Sequence, residues 1–341
     1  MKDLDDILEI AAGYQVSKSL FAAVEFNVFN SLSGKGKTIK QLSSELKLPK
    51  RSLFRLLGVC TACGLLKKKD GKYYNSKAAE RFLVENKPGY IGDFCKANNN
   101  FLYNSWGKIE EIIKSDKFHS VFGGKGDTID RVAIDPKIVR VSHKAQHNYS
   151  INPAKELAEK FDFSKYKDLL DLGGGSGILS IMAVKKYPHL TATVFDFTPV
   201  CEIAKEIIAE HGVEDRVRTC PGNIIKDEFP KGADLILISG ILDGYDEEGC
   251  YAMIKKAYDY LPKGGGIILK ESIIDDGRTG PLFPAIFSLA LLIETRGGDS
   301  RSRGEMSGWL KKAGFTGIKF TPLNDISGSF RALGIVTAKK A

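Results

Sequence analysis

The sequence predicts an α/β protein: a doubly wound, mostly parallel sheet, preceded by a mainly helical winged-helix domain. Three observations predict it. From about residue 166 short apolar strands alternate with helical segments. A glycine-rich turn follows the first of these strands. Ahead of them lie apolar residues at helical spacing and a helix–turn–helix–hairpin pattern. The expected domains are therefore 1–150, helical and substrate-lining, and 151–341, a cofactor-binding α/β domain.

In chain order, Ile7, Ile10, Ala11, Tyr14, Val16 and Leu20 fall on one helical stripe, followed by Val24, Val28 and Phe29. Thr38 can cap a short helix, Leu48-Pro49 makes a turn, and Ser52 to Cys63 forms a second helix. Asp70-Gly71 between two short strand-like runs signals a hairpin. Pro88 to Val121 carries helices rich in aromatics (Phe94, Phe101, Tyr103, Trp106), Gly123 to Asp127 is a glycine-rich loop, and Val139 to Lys160 returns to helix. Then come the strand Asp168–Leu172, the helix Ile178–Tyr187, the strand Thr191–Asp196 and the helix Val200–His211. The strand Ala233–Ser239, the helix Glu248–Leu261 and the strand Gly266–Glu271 complete the alternation.

Composition narrows the class. With 341 residues, 43% hydrophobic and 27% charged, the chain reads as an ordinary globular protein, which excludes collagen-like, low-complexity and wholly disordered forms. The longest apolar run, Leu282 to Ile293, is broken by Pro284 and Ser288. It falls short of the roughly 18 residues a bilayer span needs, so no membrane insertion is expected. The opening Met1-Lys-Asp-Leu-Asp-Asp shows no export signal, which predicts a cytoplasmic chain. Fifty basic against 42 acidic residues leave a net charge of +8, read as lysines on solvated helix faces rather than a nucleic-acid surface. Cys60-x-x-Cys63 lies in an apolar helical run with no second pair at zinc spacing, so buried free thiols, a reducing compartment and no metal are expected.

The chemistry is concentrated in the second half. Asp171-Leu-Gly173-Gly-Gly175-Ser-Gly177 joins a buried strand to a helix, where glycines let the backbone approach a ligand closely. Asp196 ends the next strand, 21 residues after Gly175, where a carboxylate can accept both hydroxyls of a ribose. A dinucleotide fingerprint would carry a third glycine, but residue 178 is Ile. The pattern suits a nucleoside cofactor without pyrophosphate and with a sulfonium centre. Asp171 is either a loop-capping carboxylate or a direct cofactor contact.

At this point the sequence resembles the class I S-adenosylmethionine-dependent methyltransferases, and more narrowly the small-molecule O-methyltransferases that include the caffeate and acetylserotonin enzymes. The matching residues are Leu170-Asp-Leu-Gly-Gly-Gly-Ser-Gly, Val194-Phe-Asp-Phe-Thr-Pro-Val, Asp215-Arg-Val, Ala233-Asp-Leu-Ile-Leu, Leu261-Pro-Lys-Gly-Gly and Trp309-Leu-Lys-Lys-Ala-Gly-Phe. They cover nearly the whole chain, because that family also carries an N-terminal winged-helix dimerisation domain. The resemblance implies a homodimer, S-adenosylmethionine as cofactor, S-adenosylhomocysteine as product, and a small, largely apolar acceptor. It places Gly173 and Gly175 at the methionine part, Asp196 on the ribose, Phe197, Asn223 and Ile224 around the adenine, and Ser239 in the pocket wall. Asn223 stands where the family more often has Asp, and its side-chain oxygen can still accept from the adenine amino group.

The resemblance breaks where the family reads Ile-Leu-His-Asp-Trp. Here the residues are Ile241-Leu-Asp243-Gly-Tyr245, so Asp243 replaces the general base. Glu271 matches the first acid beside that base, and Ser300 stands at the second. An Asp titrates about 2.6 units below a His, so it needs burial and a neighbouring acid such as Glu271 to serve as base. Otherwise Asp243 is a polar loop residue. His147, with His143 one turn before it, and Tyr245 are the other candidates for proton transfer. Phe101, Tyr103, Trp106, Gln146 and the segment Phe283–Ile293 are the expected acceptor contacts. Methyl transfer needs no protein acid, so O-methylation is the first reading. C-methylation, a cofactor-binding protein of non-methylating chemistry (hydroxylation or decarboxylation) and a winged-helix DNA regulator are the alternatives. Against the last, Ser52–Cys63 has only Arg55 as a basic residue beyond its first turn.

Overall fold

A computed structural model of the chain describes residues 3–87, 89–119, 136–323 and 331–341. The chain divides into two compact units, Met1–Asn104 and Ser105–Ala341.

The first unit opens with α1 (Leu4–Glu25), capped by Asp3 accepting the Asp6 amide. The helix forms where the stripe predicts it, but its first half is uncovered among the described residues. Ile7, Ile10, Tyr14 and Val16 are 55%, 68%, 59% and 48% exposed, whereas Ala23 and Val24 are buried. After α2 (Val28–Ser31) and the short β1 (Lys37–Thr38), α3 (Ile39–Leu46) starts from a capping box of Thr38 and Gln41. In α4 (Lys50–Ala62), Leu53, Leu57 and Cys60 recur on one face and are buried, each leucine worth about 1.5–3 kcal/mol. Cys60 is buried as expected; Cys63 is exposed, because it caps the helix on the solvent side. β2 (Leu66–Lys69) and β3 (Lys72–Asn75) form the hairpin. Asp70 and Gly71 both take positive φ, 49° and 72°, as a tight twisted turn requires. β1 joins them in the order β1-β3-β2, completing a wing. Then follow α5 (Lys77–Phe82), α6 (Gly92–Ala97) and a π-helical turn (Asn98–Leu102); α7 (Tyr103–Trp106) runs across the division, and α8 (Ile109–Ser115) belongs to the second unit. The loop expected at Gly123–Asp127 lies outside the described residues.

The second unit contains α9 (Pro136–Lys160), one continuous helix through the boundary expected at residue 150. Its Val139, Ala154 and Leu157 are in the core of the α/β unit, so the chain divides ahead of it. The sheet strands are β4 (Asp168–Leu172), β5 (Thr191–Asp196), β6 (Val217–Pro221), β7 (Leu235–Ser239) and β8 (Gly266–Ile274). They alternate with α10 (Ile178–Lys186), α11 (Thr198–Glu210) and α12 (Glu247–Tyr260). After α13 (Leu282–Glu294) come the short β9 (Arg301–Ser302) and α14 (Arg303–Ala313). The antiparallel pair β10 (Phe315–Pro322) and β11 (Leu333–Lys340) closes one edge.

The strand order is β10-β11-β8-β7-β4-β5-β6, with β6 through β8 parallel and β11 antiparallel to β8. α9, α10 and α11 pack one face; α12 and α14 pack the other. The chain runs outward from β4 to β6, then returns to β7 on β4's other side. That reversal opens a crevice at the carboxyl ends of β4 and β7, where α/β sheets bind ligands.

Candidate functional site

The site grows from the end of β4. Gly173, Gly175 and Gly177 take φ of 66°, 56° and 72°, a region that favours glycine, so the chain turns sharply into α10. A Cβ on Gly173 would stand 2.3 Å from Ile241 Cδ1 and 3.2 Å from Ile224 Cδ1. These two isoleucines form an apolar wall beside the turn; Ile224 was expected there and Ile241 was not. Asp196 Oδ2 accepts the Gly175 amide at 2.9 Å and Oδ1 accepts the Phe197 amide at 2.7 Å. The carboxylate is thus aimed from the end of β5 at the glycine turn, and each oxygen keeps a lone pair for a ligand. Burial lifts its pKa to about 6, against the two amides.

Asp171 is fully buried. Its Oδ2 accepts from Ser180 Oγ at 2.7 Å, while Oδ1 has no partner. Burial, helped by Asp196, lifts its pKa to about 7. The carboxylate therefore braces the first turn of α10 and leaves one oxygen unspent.

On α9, His143 packs against the turn: its Nδ1 lies 3.3 Å from where a Gly175 Cβ would be, and its Nε2 has no partner. His147 Nδ1 pairs with Ser176 Oγ at 3.0 Å. Burial holds both imidazoles down to about 4, with His211 adding to the effect on His147. Both are therefore neutral at pH 7, and the polar contact of His147 goes to the glycine turn. Gln146 is exposed. Asn223 Oδ1 accepts the amides of Ile225 and Lys226 at 2.9 and 3.1 Å, so the oxygen expected to meet an adenine amino group closes its own turn. Ser239 ends β7 and accepts from Lys270 Nζ at 3.4 Å.

Asp243 sits in a 3-10 turn (Leu242–Gly244) directly after β7. Glu271 Oε1 accepts the Ile241 and Leu242 amides at 3.2 Å each, so Glu271 holds the backbone of the turn, and its Oε2 has no partner. Arg301 donates to the carbonyls of Leu242 and Tyr245, and the Asp299 amide donates to the Asp243 carbonyl. Ser300 donates its hydroxyl to the Pro284 carbonyl at 2.7 Å. Burial raises Asp243 above the usual carboxylate range, against the positive charge of Arg301 and Lys270. Burial and then Asp243 raise Glu271 further. The Tyr245 ring packs on the α12/α14 core.

Besides Arg301, the sequence reading missed the charged residues Lys270 and Glu294. Lys270, 8% exposed on β8, is an ammonium that directly follows the apolar run Ile267-Ile-Leu269. Glu294 ends α13, and burial with the nearby Asp243 charge lifts its pKa to about 7. Each directly ends an apolar run, which is the signal that could have found it. Phe101 lies in the first unit; Trp106 and α13, where Phe283 and Phe287 stack 6.0 Å apart, lie in the second. Among the described residues no cluster of three or more His, Cys, Asp or Glu side chains could hold a metal, and no helix is long and apolar enough to cross a membrane.

Comparison with known proteins matches residues 106–316 to the O-methyltransferase domain and residues 8–85 to the O-methyltransferase dimerisation domain. The chain is similar to 3-hydroxy-5-methyl-1-naphthoate 3-O-methyltransferase of Streptomyces sahachiroi, 29% identical over 92% of this chain and 90% of that one. It is equally similar, at 29%, to L-tyrosine C(3)-methyltransferase of Streptomyces lavendulae, over 99% and 93%. Among solved structures, human N-acetylserotonin methyltransferase in complex with SAM superposes with a TM-score of 0.90 at 24% identity, covering 100% of this chain and 99% of that one; this likeness establishes the fold.

Proposed function

Because the chain belongs to the S-adenosylmethionine-dependent O-methyltransferase family, we propose that it methylates an oxygen of a small aromatic or polyketide-like acceptor. One observation carries the placement of the cofactor: the glycine turn at 173–177 and the Asp196 carboxylate are joined by the Gly175 amide at the crevice between β4 and β7. The residues present fit the cofactor. The turn leaves a cradle that a Cβ would fill, Asp171 keeps an unspent oxygen, and Ile224 and Ile241 offer an apolar wall for a nucleobase. In this reading Asp196 accepts the ribose hydroxyls, and Gly173 and Gly175 border the amino-acid portion. When bound, the cofactor supplies an electrophilic methyl group on a sulfonium.

The protein's part is then to orient the acceptor oxygen and receive its proton. Asp243 takes that proton: its turn is held rigid by Glu271 and Arg301, and burial makes it a stronger base than a solvated Asp. Positioning and water exclusion supply the rest of the rate. His147, neutral and paired with Ser176, is assigned to bracing the glycine turn, and Tyr245 to the core. The N-terminal unit pairs two chains through the exposed apolar stripe of α1.

A second reading, C-methylation, is favoured by the similarity to the tyrosine C-methyltransferase and by the absence of His at 243. The test is a panel of naphthols, hydroxynaphthoates and tyrosine incubated with S-adenosylmethionine. The proposal expects S-adenosylhomocysteine released one for one with an O-methyl ether, at a rate rising with pH as Asp243 ionises and lost in D243N. A C-methyl product selects the second reading, and turnover without a methylated product overturns both.

A further inference from the structure

Among the described residues, Lys270 is a buried lysine whose ammonium has no ion pair at salt-bridge distance. It is 8% exposed, and among the described residues its Nζ makes one hydrogen bond, a long one of 3.4 Å to Ser239 Oγ, and no ion pair. Its surroundings oppose one another. Burial pulls its pKa down, Glu271 raises it, Arg331 lowers it, and Asp243 and Asp171 raise it. An ammonium taken out of water costs several kcal/mol unless an opposite charge or several acceptors replace the lost hydration. One long hydroxyl contact is not such a replacement.

The register says where the unspent charge points. Ser239 and Lys270 are direct partners, Ser239 at the carboxyl end of β7 and Lys270 midway along the longer β8, so Lys270 lies level with the end of β7. Asp171 pairs with Leu237 and Val194, so Asp171, Asp196, Ser239 and Lys270 all project from the same face of the sheet. Glu271, one residue on, projects from the other. Lys270 therefore shares its face and its end of the sheet with the proposed cofactor carboxylates. Two of its N–H groups remain to be used there.

We propose that Lys270 and Ser239 form an oxyanion subsite that holds an ionised carboxylate or phenolate oxygen of a bound ligand. The inference rests on the methyl-transfer reading, which offers two sources of such an oxygen: the amino-acid carboxylate of the methyl donor and the acceptor's own oxygen. In the second case the ammonium stabilises the acceptor as its anion. The O–H proton passes to Asp243, the oxygen forms its bond to the methyl carbon as the carbon–sulfur bond breaks, and the sulfonium becomes a neutral thioether. A chain with Asp in place of His gains most from such help, because an acidified hydroxyl needs a weaker base.

The experiment compares the full-length protein with K270M and K270R. Methionine fills the space of lysine without its charge, and a thermal melt verifies that the variant folds. Calorimetry is run with S-adenosylhomocysteine and with 5′-methylthioadenosine, which lacks the amino-acid carboxylate. The ionisation of added 4-nitrophenol is followed by absorbance with S-adenosylhomocysteine saturating. Weakening of S-adenosylhomocysteine binding by about tenfold or more in K270M, with 5′-methylthioadenosine unchanged and K270R recovering, assigns the subsite to the donor. A 4-nitrophenol pKa lowered by wild type and not by K270M assigns it to the acceptor. Equal behaviour of wild type and K270M in both arms overturns the subsite. Failure of wild type to bind S-adenosylhomocysteine at all counts instead against the methyl-transfer reading.

Discussion

Replacing Asp196 by Asn tests the proposed cofactor grip at its most exposed point. The carboxylate accepts the Gly175 amide at 2.9 Å and the Phe197 amide at 2.7 Å, and each oxygen keeps a lone pair for a further donor. An Asn keeps one acceptor oxygen and must turn its NH₂ either toward a backbone donor or toward the ligand hydroxyls. Hydrogen bonds to a charged group contribute about 1.5–3 kcal/mol each. Losing one such bond to the ribose raises the Kd for S-adenosylhomocysteine about 10- to 150-fold, and losing both raises it further. The pH dependence gives a second readout. Hydroxyl donors prefer the ionised carboxylate, whose pKa is raised to about 6, so wild-type affinity is full above pH 7 and declines as pH falls through 6. D196N lacks this titration and should lose that share of the decline. Calorimetry between pH 5 and 8 measures both effects. Wild-type affinity in D196N, within twofold, would refute the reasoning.

Three further expectations follow from single contacts. G173A forces alanine into φ 66° with its methyl 2.3 Å from Ile241; about 1–2 kcal/mol of strain, or about 2–8 °C in Tm, should accompany loss of S-adenosylhomocysteine binding by calorimetry. Asp171 has a folded pKa of about 7, raised from 3.8, so the native state holds the extra proton between those values and stability falls as pH rises through 7. Denaturant melts of the ligand-free protein should find D171N more stable than wild type at pH 8, by at most about 4 kcal/mol, and no advantage at pH 4. Glutamate at both Ile7 and Ile10, which are exposed in the single chain, should convert a dimer to a monomer by light scattering.

Much of the α/β unit is legible in the sequence because its strands are buried on both faces. Leu169-Leu-Asp-Leu and Leu235-Ile-Leu-Ile read as strands from apolar content alone. β10 and β11 do not stand out: Lys319, Thr321 and Lys339 punctuate the hairpin, and most of β10, at the sheet edge, is exposed or only half-buried. The glycine turn and Asp196 are legible because backbone conformation and strand spacing dictate them. Lys270, Glu294 and Arg301 are not, because their significance depends on what is brought near Asp243 from β8, α13 and β9. The α1 stripe shows a different limit. Periodicity identifies an apolar face, and nothing in it says whether the same chain or another covers that face.

The most direct test of the central claim is a crystal structure of the protein grown with S-adenosylhomocysteine. The account predicts the ribose hydroxyls within hydrogen-bond distance of Asp196, the adenine against Ile224 and Ile241, and the sulfur opening toward Asp243. Nucleoside density elsewhere, or a ribose with no contact to that carboxylate, would contradict it.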